Sequence, residues 1–102
     1  MAKLESQFQK DLKDEIAELF PGCFIFKQDE QQTPGIPDLL ILFNDRWAML
    51  VVKRDESEMN HPRPNQPYYV ELFNELSFAA FIYPGNREEV LDDLQRSLAS
   101  RR

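Results

Sequence analysis

Two charged residues at the ends of apolar segments are the strongest chemical signal in this 102-residue sequence. Asp38 comes directly before the apolar run 39–43, and Lys53 comes directly after the apolar run 47–52. A charge at the end of a buried strand is costly unless it lies in a polar environment. The sequence therefore predicts a common polar site in which the carboxylate and the ammonium group meet.

The turn between the two apolar runs decides whether these charges share one face of a sheet. Side chains alternate along a strand, so Asp38 lies on the face of Lys53 only if it pairs with an odd-numbered residue. A two-residue turn places Asp38 opposite Val51, and a four-residue turn places it opposite Lys53. A three-residue turn gives the wrong face unless a bulge intervenes. We predict one of the two productive registers, and Asp38 and Lys53 on opposite faces would remove the site.

Apolar periodicity and turn residues predict an α/β fold in a single domain, residues 1–102. The predicted elements are a helix over 4–20, strands over 23–26, 36–43 and 47–53, a helix over 68–76, a strand over 78–83 and a helix that begins at a capping sequence, 86–89. The proline-rich segment 54–67 is predicted to be a mobile surface loop. This order favours a mixed four-stranded sheet flanked by helices.

Charge and cysteine content exclude several classes of protein. Twelve Lys and Arg residues against eighteen Asp and Glu residues give a net charge of −6, so a polyanion must meet a local basic patch, an oligomer surface or bound metal cations. The single cysteine, Cys23, excludes an internal disulfide and a multi-cysteine zinc site. The longest apolar runs are too short to span a membrane, and the polar residues 3–6 predict no signal peptide. We expect a cytoplasmic protein.

The segment Gly35-Ile36-Pro37-Asp38, followed by a turn and a strand ending in apolar-x-Lys53, resembles the PD-(D/E)XK nuclease signature. The predicted element order is similar to the αβββαβ restriction-endonuclease-like core of that superfamily. Two branches are most similar. In the VRR-NUC type a downstream glutamine corresponds to Gln66, and in the phage endonuclease I type, a resolvase of branched DNA such as Holliday junctions, a first-helix glutamate corresponds to Glu5. The resemblance covers nearly the whole chain.

The resemblance implies a metal-dependent DNA endonuclease. In these families the acidic residues bind Mg²⁺ or Mn²⁺, the metal activates a water molecule, and the lysine stabilises the anionic transition state. By position, Glu5 and Asp38 correspond to metal ligands, Lys53 to the electrostatic group and Gln66 to the motif glutamine. The implied substrate is branched DNA, at a junction or flap, and the implied source is a phage or mobile element, in the host cytoplasm.

Position 51 departs from the family pattern, which has an acid where this chain has Val51. Valine has no lone pairs to offer a cation, so we expect little or no hydrolysis. Three explanations are open: a deliberate inactivating substitution, a spontaneous one selected by an expression host, or natural loss of cleavage. The retention of Glu5, Asp38, Lys53 and Gln66 favours replacement of an original glutamate.

Other acidic residues are alternatives for the missing ligands. Glu15 is a second candidate on the first helix, and Glu56 and Glu58 are candidates if their loop folds back. Simpler interpretations also exist, in which Asp38 caps a turn and Lys53 is a solvated residue at a strand end.

A local basic patch is needed for a chain of this charge to bind DNA. Arg46, Arg54 and Arg63, with His61 and the tail Arg101-Arg102, are predicted to contact the DNA backbone if they share a face. A chain this small spans little of a junction, which favours a homodimer with paired sites. The alternatives are a catalytically silent branched-DNA-binding module of the same fold and an acidic interaction or inhibitor protein.

Overall fold

The structure is a computed structural model that describes residues 2–99, with side chains described over 6–99. Its helices are α1 (Ala2–Leu19), α2 (Glu56–Asn60), α3 (Gln66–Leu76) and α4 (Arg87–Leu98). Its strands are β1 (Phe24–Lys27), β2 (Leu39–Phe43), β3 (Arg46–Val52) and β4 (Ala79–Ile82). Over the described residues, no helix combines the length and the apolar character needed to cross a bilayer.

The four strands form one mixed sheet in the order β1-β2-β3-β4. β1, β2 and β3 are antiparallel neighbours, and β4 lies parallel to β3. A parallel pair needs a long crossover, which α2 and α3 provide. The predicted α/β fold, with a mixed four-stranded sheet flanked by helices, is confirmed.

One face of the sheet, here called the core face, packs against α1 and α4. The buried cluster on this face contains residues from both helices, from three strands and from the position directly after α1: Leu12, Ile16, Phe20, Leu39, Ile41, Ala48, Leu50, Val52, Ile82, Val90, Leu91, Leu94 and Leu98. The helical members recur at intervals of three and four, which places them on one side of each helix. Burial of this cluster is the main apolar contribution to stability.

The other face, here called the α3 face, is covered over β3 and β4 alone. Phe73 of α3 packs edge-on against Trp47, with ring centroids 6.1 Å apart, and stacks with Tyr69 at 5.7 Å. On the β1 side of the same face, Phe24 and Phe26 are 64% and 50% exposed. α3 therefore covers the β3–β4 side of the α3 face and leaves the β1 side exposed.

The prediction of a loop over 54–67 is wrong for part of its length. Asp55 caps α2, because its side chain accepts a hydrogen bond from Glu58 N at 3.0 Å. α3 begins at Gln66, two residues before the predicted helix, with Pro67 in its first turn. Proline is well accommodated there because the first helical N–H groups have no intrahelical acceptor.

Asn86 does not cap α4 as the sequence predicts, since its side chain makes no capping hydrogen bond to the helix. Its Oδ1 instead accepts from Tyr83 N at 2.9 Å, and its Nδ2 donates to Phe81 O at 3.2 Å. The amide stabilises the turn between β4 and α4. α4 itself begins close to the predicted residue.

Candidate functional site

The hairpin of β2 and β3 brings Asp38 and Lys53 to one cavity. Phe43 pairs with Arg46 across a two-residue turn, and Leu39 pairs with Leu50. The same register, continued by one residue, places Asp38 opposite Val51. This register puts Asp38 on the same face as Lys53, as predicted, and both residues line the cavity.

Asp38 closes the hydrogen-bond ladder at the end of this hairpin. The N–H groups of Met49 and Lys53 donate towards the β4 side, to Phe78 O at 2.9 Å and Ile82 O at 2.8 Å. The intervening Val52 N–H points the other way and donates to Asp38 Oδ2 at 2.7 Å. Asp38 Oδ2 thus continues the ladder between two strands and does not cap a turn, while Oδ1 makes no hydrogen bond to the described residues.

Lys53 is a buried residue rather than a solvated strand end, with 7% of its surface exposed. Its Nζ donates to Gln66 Oε1 at 2.8 Å, and the same oxygen accepts from Arg63 N at 2.9 Å. Gln66 is itself only 3% exposed. The first residue of α3 therefore positions the ammonium group at the end of β3.

Gly35 explains why the loop before β2 can approach the start of α3. Its φ of +90° is a left-handed conformation that favours glycine. A Cβ added there would lie 2.6 Å from the Cβ of Asn65 and 2.9 Å from Pro64 O. The close approach of these two loops places Asp38 and Gln66 around one cavity.

The cavity is small and polar, with a volume of about 60 Å³. Its lining residues are Glu30, Asp38, Val52, Lys53, Glu58, Arg63 and Gln66. The space suits a few atoms of a ligand, such as phosphate oxygens, rather than a whole nucleotide.

Two further acids line this cavity, and arginines neutralise both. Glu30 accepts from Arg63 Nη1 at 2.6 Å. Glu58 accepts from Arg54 N at 2.7 Å, and its other oxygen lies 3.9 Å from Arg54 Nη2. Glu58 was one of the alternative acids, whereas Glu30 was not predicted.

A signal for Glu30 does exist in the pairing of β1 with β2. Gln28 N donates to Asp38 O at 2.7 Å, which continues the antiparallel register beyond the last strand residue. A residue that follows Gln28 so closely must lie near the start of β2. Recognising this required the β1–β2 register, which the sequence does not specify.

Burial raises the pKa of Asp38 above its usual value of 3.8, and the negative charge of Glu30 adds to this effect. The Val52 N–H, and then Lys53 and Lys27, act in the opposite direction. Because burial is the largest cause, the carboxylate at this site is under-stabilised by its neighbours. Such a group has capacity for a further positive partner.

The resemblance implies a divalent metal, and the described residues do not fit one. They contain no group of three or more His, Cys, Asp or Glu side chains that could hold a metal ion. Asp38 has one oxygen left, Glu30 and Glu58 bind arginines, and Val51 is apolar and fully buried. Glu5 lies in α1, but its side chain is outside the described part of the chain.

The predicted DNA-contacting residues are not all brought together. Arg54 and Arg63 lie at the cavity end of the sheet, whereas Arg46 lies at the opposite end of β3 and its Nη1 is 3.5 Å from Ser97 O. The hairpin separates Arg46 from the other two arginines, because Arg46 begins β3 directly after the turn, whereas the cavity lies beyond the other end of β3. His61 is exposed, with Nδ1 2.9 Å from Ser57 O. The tail Arg101-Arg102 lies outside the described residues.

The two remaining alternative acids lie away from the cavity. Glu15 forms an ion pair with Arg87 of α4, with an N···O distance of 3.7 Å. This places Glu15 between two helices of the core face, so it is not a ligand at the site. Glu56, the first residue of α2, is exposed and does not line the cavity.

Searches of protein-family models, curated proteins and solved structures with this chain found no match.

Proposed function

We propose that this chain is a PD-(D/E)XK-like domain of the DNA endonuclease class that binds branched DNA without hydrolysing it. The observation that carries the proposal is the convergence of Asp38, Lys53 and Gln66 on one cavity, with Val51 opposite Asp38. The order of α1, three antiparallel strands, a helical crossover and a parallel strand is similar to the restriction-endonuclease-like core. The fold and the retained residues support the same class.

The absence of cleavage follows from position 51. Val51 is fully buried and supplies no oxygen beside Asp38. The described residues offer no divalent-metal site, so they have no means of generating a metal-bound nucleophile. Lys53 can still attract a phosphate, because an ammonium group needs no metal to do so.

Binding is expected to use few phosphate contacts. Arg63 is 68% exposed in its side chain although it pairs with Glu30, so a DNA phosphate can replace the glutamate as its partner. With Lys53 and Arg54 this gives about two or three phosphate contacts, and the slope of log K against log salt should be about −2 to −3. Specificity would come from DNA shape, since backbone contacts carry no base sequence.

Val51→Glu tests the assignment, with Val51→Gln as a neutral control of similar shape. We expect the unmodified chain and the glutamine variant to bind a four-way junction without cutting it. The glutamate variant should nick the junction with Mg²⁺ or Mn²⁺. Circular dichroism establishes that each variant is folded.

The remaining outcomes separate the alternatives. A folded Val51→Glu variant that binds the junction but never nicks it would indicate a silent binding module. A chain that shifts neither junction nor linear duplex in a gel, with or without divalent metal, would contradict DNA binding and favour an acidic interaction protein.

Arg63→Gln tests the binding surface and has Arg46→Gln as its control. Loss of one phosphate contact should reduce junction affinity several-fold and make the salt slope shallower by about 1. Arg46 lies at the other end of β3, so its replacement should leave both quantities unchanged. Equal effects of the two substitutions would place DNA elsewhere on the molecule.

A further inference from the structure

β1 is an edge strand of the sheet and carries an exposed aromatic pair. Phe24 and Phe26 stack with their ring centroids 6.4 Å apart and their planes 12° from parallel. They are 64% and 50% exposed, on the part of the α3 face that α3 does not cover. Stacked, exposed rings beside an unpaired strand edge are a common feature of surfaces that bind another chain.

No strand of residues 2–99 pairs with the outer edge of β1, and this edge has a defined hydrogen-bonding pattern. Because Gln28 N donates to Asp38 O, the even-numbered residues of β1 direct their backbone groups towards β2. Ile25 and Lys27 therefore direct their N–H and C=O groups away from the sheet. β1 contains no proline, and Lys27 is its single charged residue, so the edge is poorly protected against strand addition.

We propose that β1 pairs antiparallel with β1 of a second copy, across a two-fold axis at Ile25, to form an eight-stranded sheet. In this register Ile25 exchanges hydrogen bonds with Ile25 of the partner subunit. Phe24 then lies opposite the partner's Phe26, and Phe26 lies opposite the partner's Phe24. The four rings form one aromatic cluster, which is the arrangement that buries both exposed side chains of each copy.

The alternative axis at Phe26 satisfies the same backbone groups but pairs the side chains less well. It would place Phe24 opposite Gln28 of the partner subunit. Cross-strand aromatic pairs are more favourable than an aromatic ring opposite an amide. The positions of the phenylalanines thus select the axis at Ile25.

Charge also favours a second copy as the occupant. With the axis at Ile25, Lys27 lies opposite Cys23 of the partner subunit, just beyond the C-terminus of α1. The last turn of α1 contains Glu18 and no basic residue. A lysine at that position complements both the acid and the negative end of the helix dipole. Each copy supplies the lysine and the acidic helix end together, so the edge is self-complementary.

The interface is small, so the dimer should be reversible. The exposed parts of Phe24 and Phe26 amount to roughly 200 Å² per copy, well below the roughly 800 Å² per partner of a standard interface. The two-fold axis would also place both Asp38–Lys53 cavities on the same side of the joined sheet. The relevance of this placement to DNA binding rests on the proposed function. From strand spacing and rise, the two cavities would be about 30 Å apart.

Sedimentation equilibrium without DNA tests the dimer independently of the proposed function. We expect a concentration-dependent monomer–dimer equilibrium that Phe24→Lys abolishes. Leu76→Lys is the matched control, because Leu76 on α3 is 66% exposed and lies outside β1. A strict monomer at every concentration, or a dimer that Phe24→Lys leaves intact, would overturn the proposal.

Disulfide trapping tests the register in a Cys23→Ser background. Phe24→Cys and Phe26→Cys chains should crosslink efficiently when mixed, because these positions form a non-hydrogen-bonded pair with Cα atoms about 4.5 Å apart. Neither variant should crosslink with itself. Self-crosslinking of Phe26→Cys alone would overturn the axis at Ile25.

Discussion

The two faces of the sheet differ in how completely they are covered, and β3 contributes to both. On the core face, Leu50 and Val52 are at most 2% exposed and pack against helices. On the α3 face, Val51 is also fully buried, and Lys53 lines a polar cavity at the end of the strand. The same face carries exposed phenylalanines at the free edge of β1. Alternation along β3 therefore places Lys53 on the opposite face from Leu50 and Val52, which belong to the buried cluster.

This separation explains how so small a domain tolerates a buried lysine. Lys53 lies on the α3 face, where Gln66 from α3 accepts its hydrogen bond. A lysine on the core face would meet apolar side chains and remain unpaired, at a cost of several kcal/mol. A buried charged side chain is tolerated on the α3 face because the first residue of α3 supplies its hydrogen-bond acceptor.

Leu50→Ala and Met49→Ala compare the two faces at neighbouring residues. Leu50 is fully buried, so its truncation should lower the free energy of unfolding by about 2–5 kcal/mol. Met49 is only half-buried and should lose less than half as much. Denaturant unfolding measures both. Equal losses would mean that the α3 face is as important to stability as the core face.

The shared face of Asp38 and Lys53 could be predicted from local sequence, whereas the length of the turn between the strands could not. The apolar runs 36–43 and 47–53 leave the length of the turn open, and the structure has a two-residue turn at Asn44-Asp45, where Asn44 adopts the positive φ of 56° found in such turns. Once the turn is known, alternation places Asp38 and Lys53 on the same face. The helices with strong apolar periodicity were predictable for the same reason.

The parts that could not be predicted depend on contacts between distant segments. The pairing of Arg63 with Glu30 joins two loops 33 residues apart. α2 is only one turn long, so its cap at Asp55 is a better signal than its periodicity. Charge alone groups Arg46 with the other cations, although the hairpin places it at the opposite end of β3.

Gln66→Leu tests the contrast between the two faces of the sheet, because it removes the side chain that accepts a hydrogen bond from the buried Lys53. The change leaves Lys53 Nζ and Arg63 N without their shared acceptor. We expect the free energy of unfolding to fall by about 1–3 kcal/mol. Gln95→Leu on α4, a partly exposed glutamine, should change it by less than about 0.5 kcal/mol. A Gln66→Leu variant as stable as the original chain would show that Lys53 finds another partner.

Asn86→Asp tests the two hydrogen bonds that the Asn86 side chain makes in the turn between β4 and α4. The carboxylate can still accept from Tyr83 N but cannot donate to Phe81 O, so we expect a loss of about 1 kcal/mol in thermal or denaturant unfolding. A helix cap would behave differently, because aspartate is as good an N-cap as asparagine. Unchanged or increased stability would restore the capping interpretation.

The smallest effect is a pH dependence that distinguishes the two aspartates on either side of Lys53. Burial raises the pKa of Asp38, so its contribution to stability is full below its usual value of 3.8 and is lost as pH rises through the folded value. Asp38→Asn resembles the protonated form and keeps an acceptor for Val52 N. The variant should match the original chain at low pH and become more stable than it as the pH rises.

Asp55 provides the control with the opposite sign. The Glu58 N–H lowers the pKa of Asp55 below 3.8, so this residue contributes stability above 3.8 that is lost as pH falls through the folded value. Asp55→Asn keeps an acceptor for the cap but loses the carboxylate charge beside Arg54, so it should be less stable than the original chain at neutral pH, and the difference should shrink in acid. Unfolding curves measured across this range compare the two variants directly. If both differences changed in the same direction, the Val52 N–H and Lys53 rather than burial would dominate at Asp38, and the carboxylate would already be electrostatically satisfied without a further positive partner.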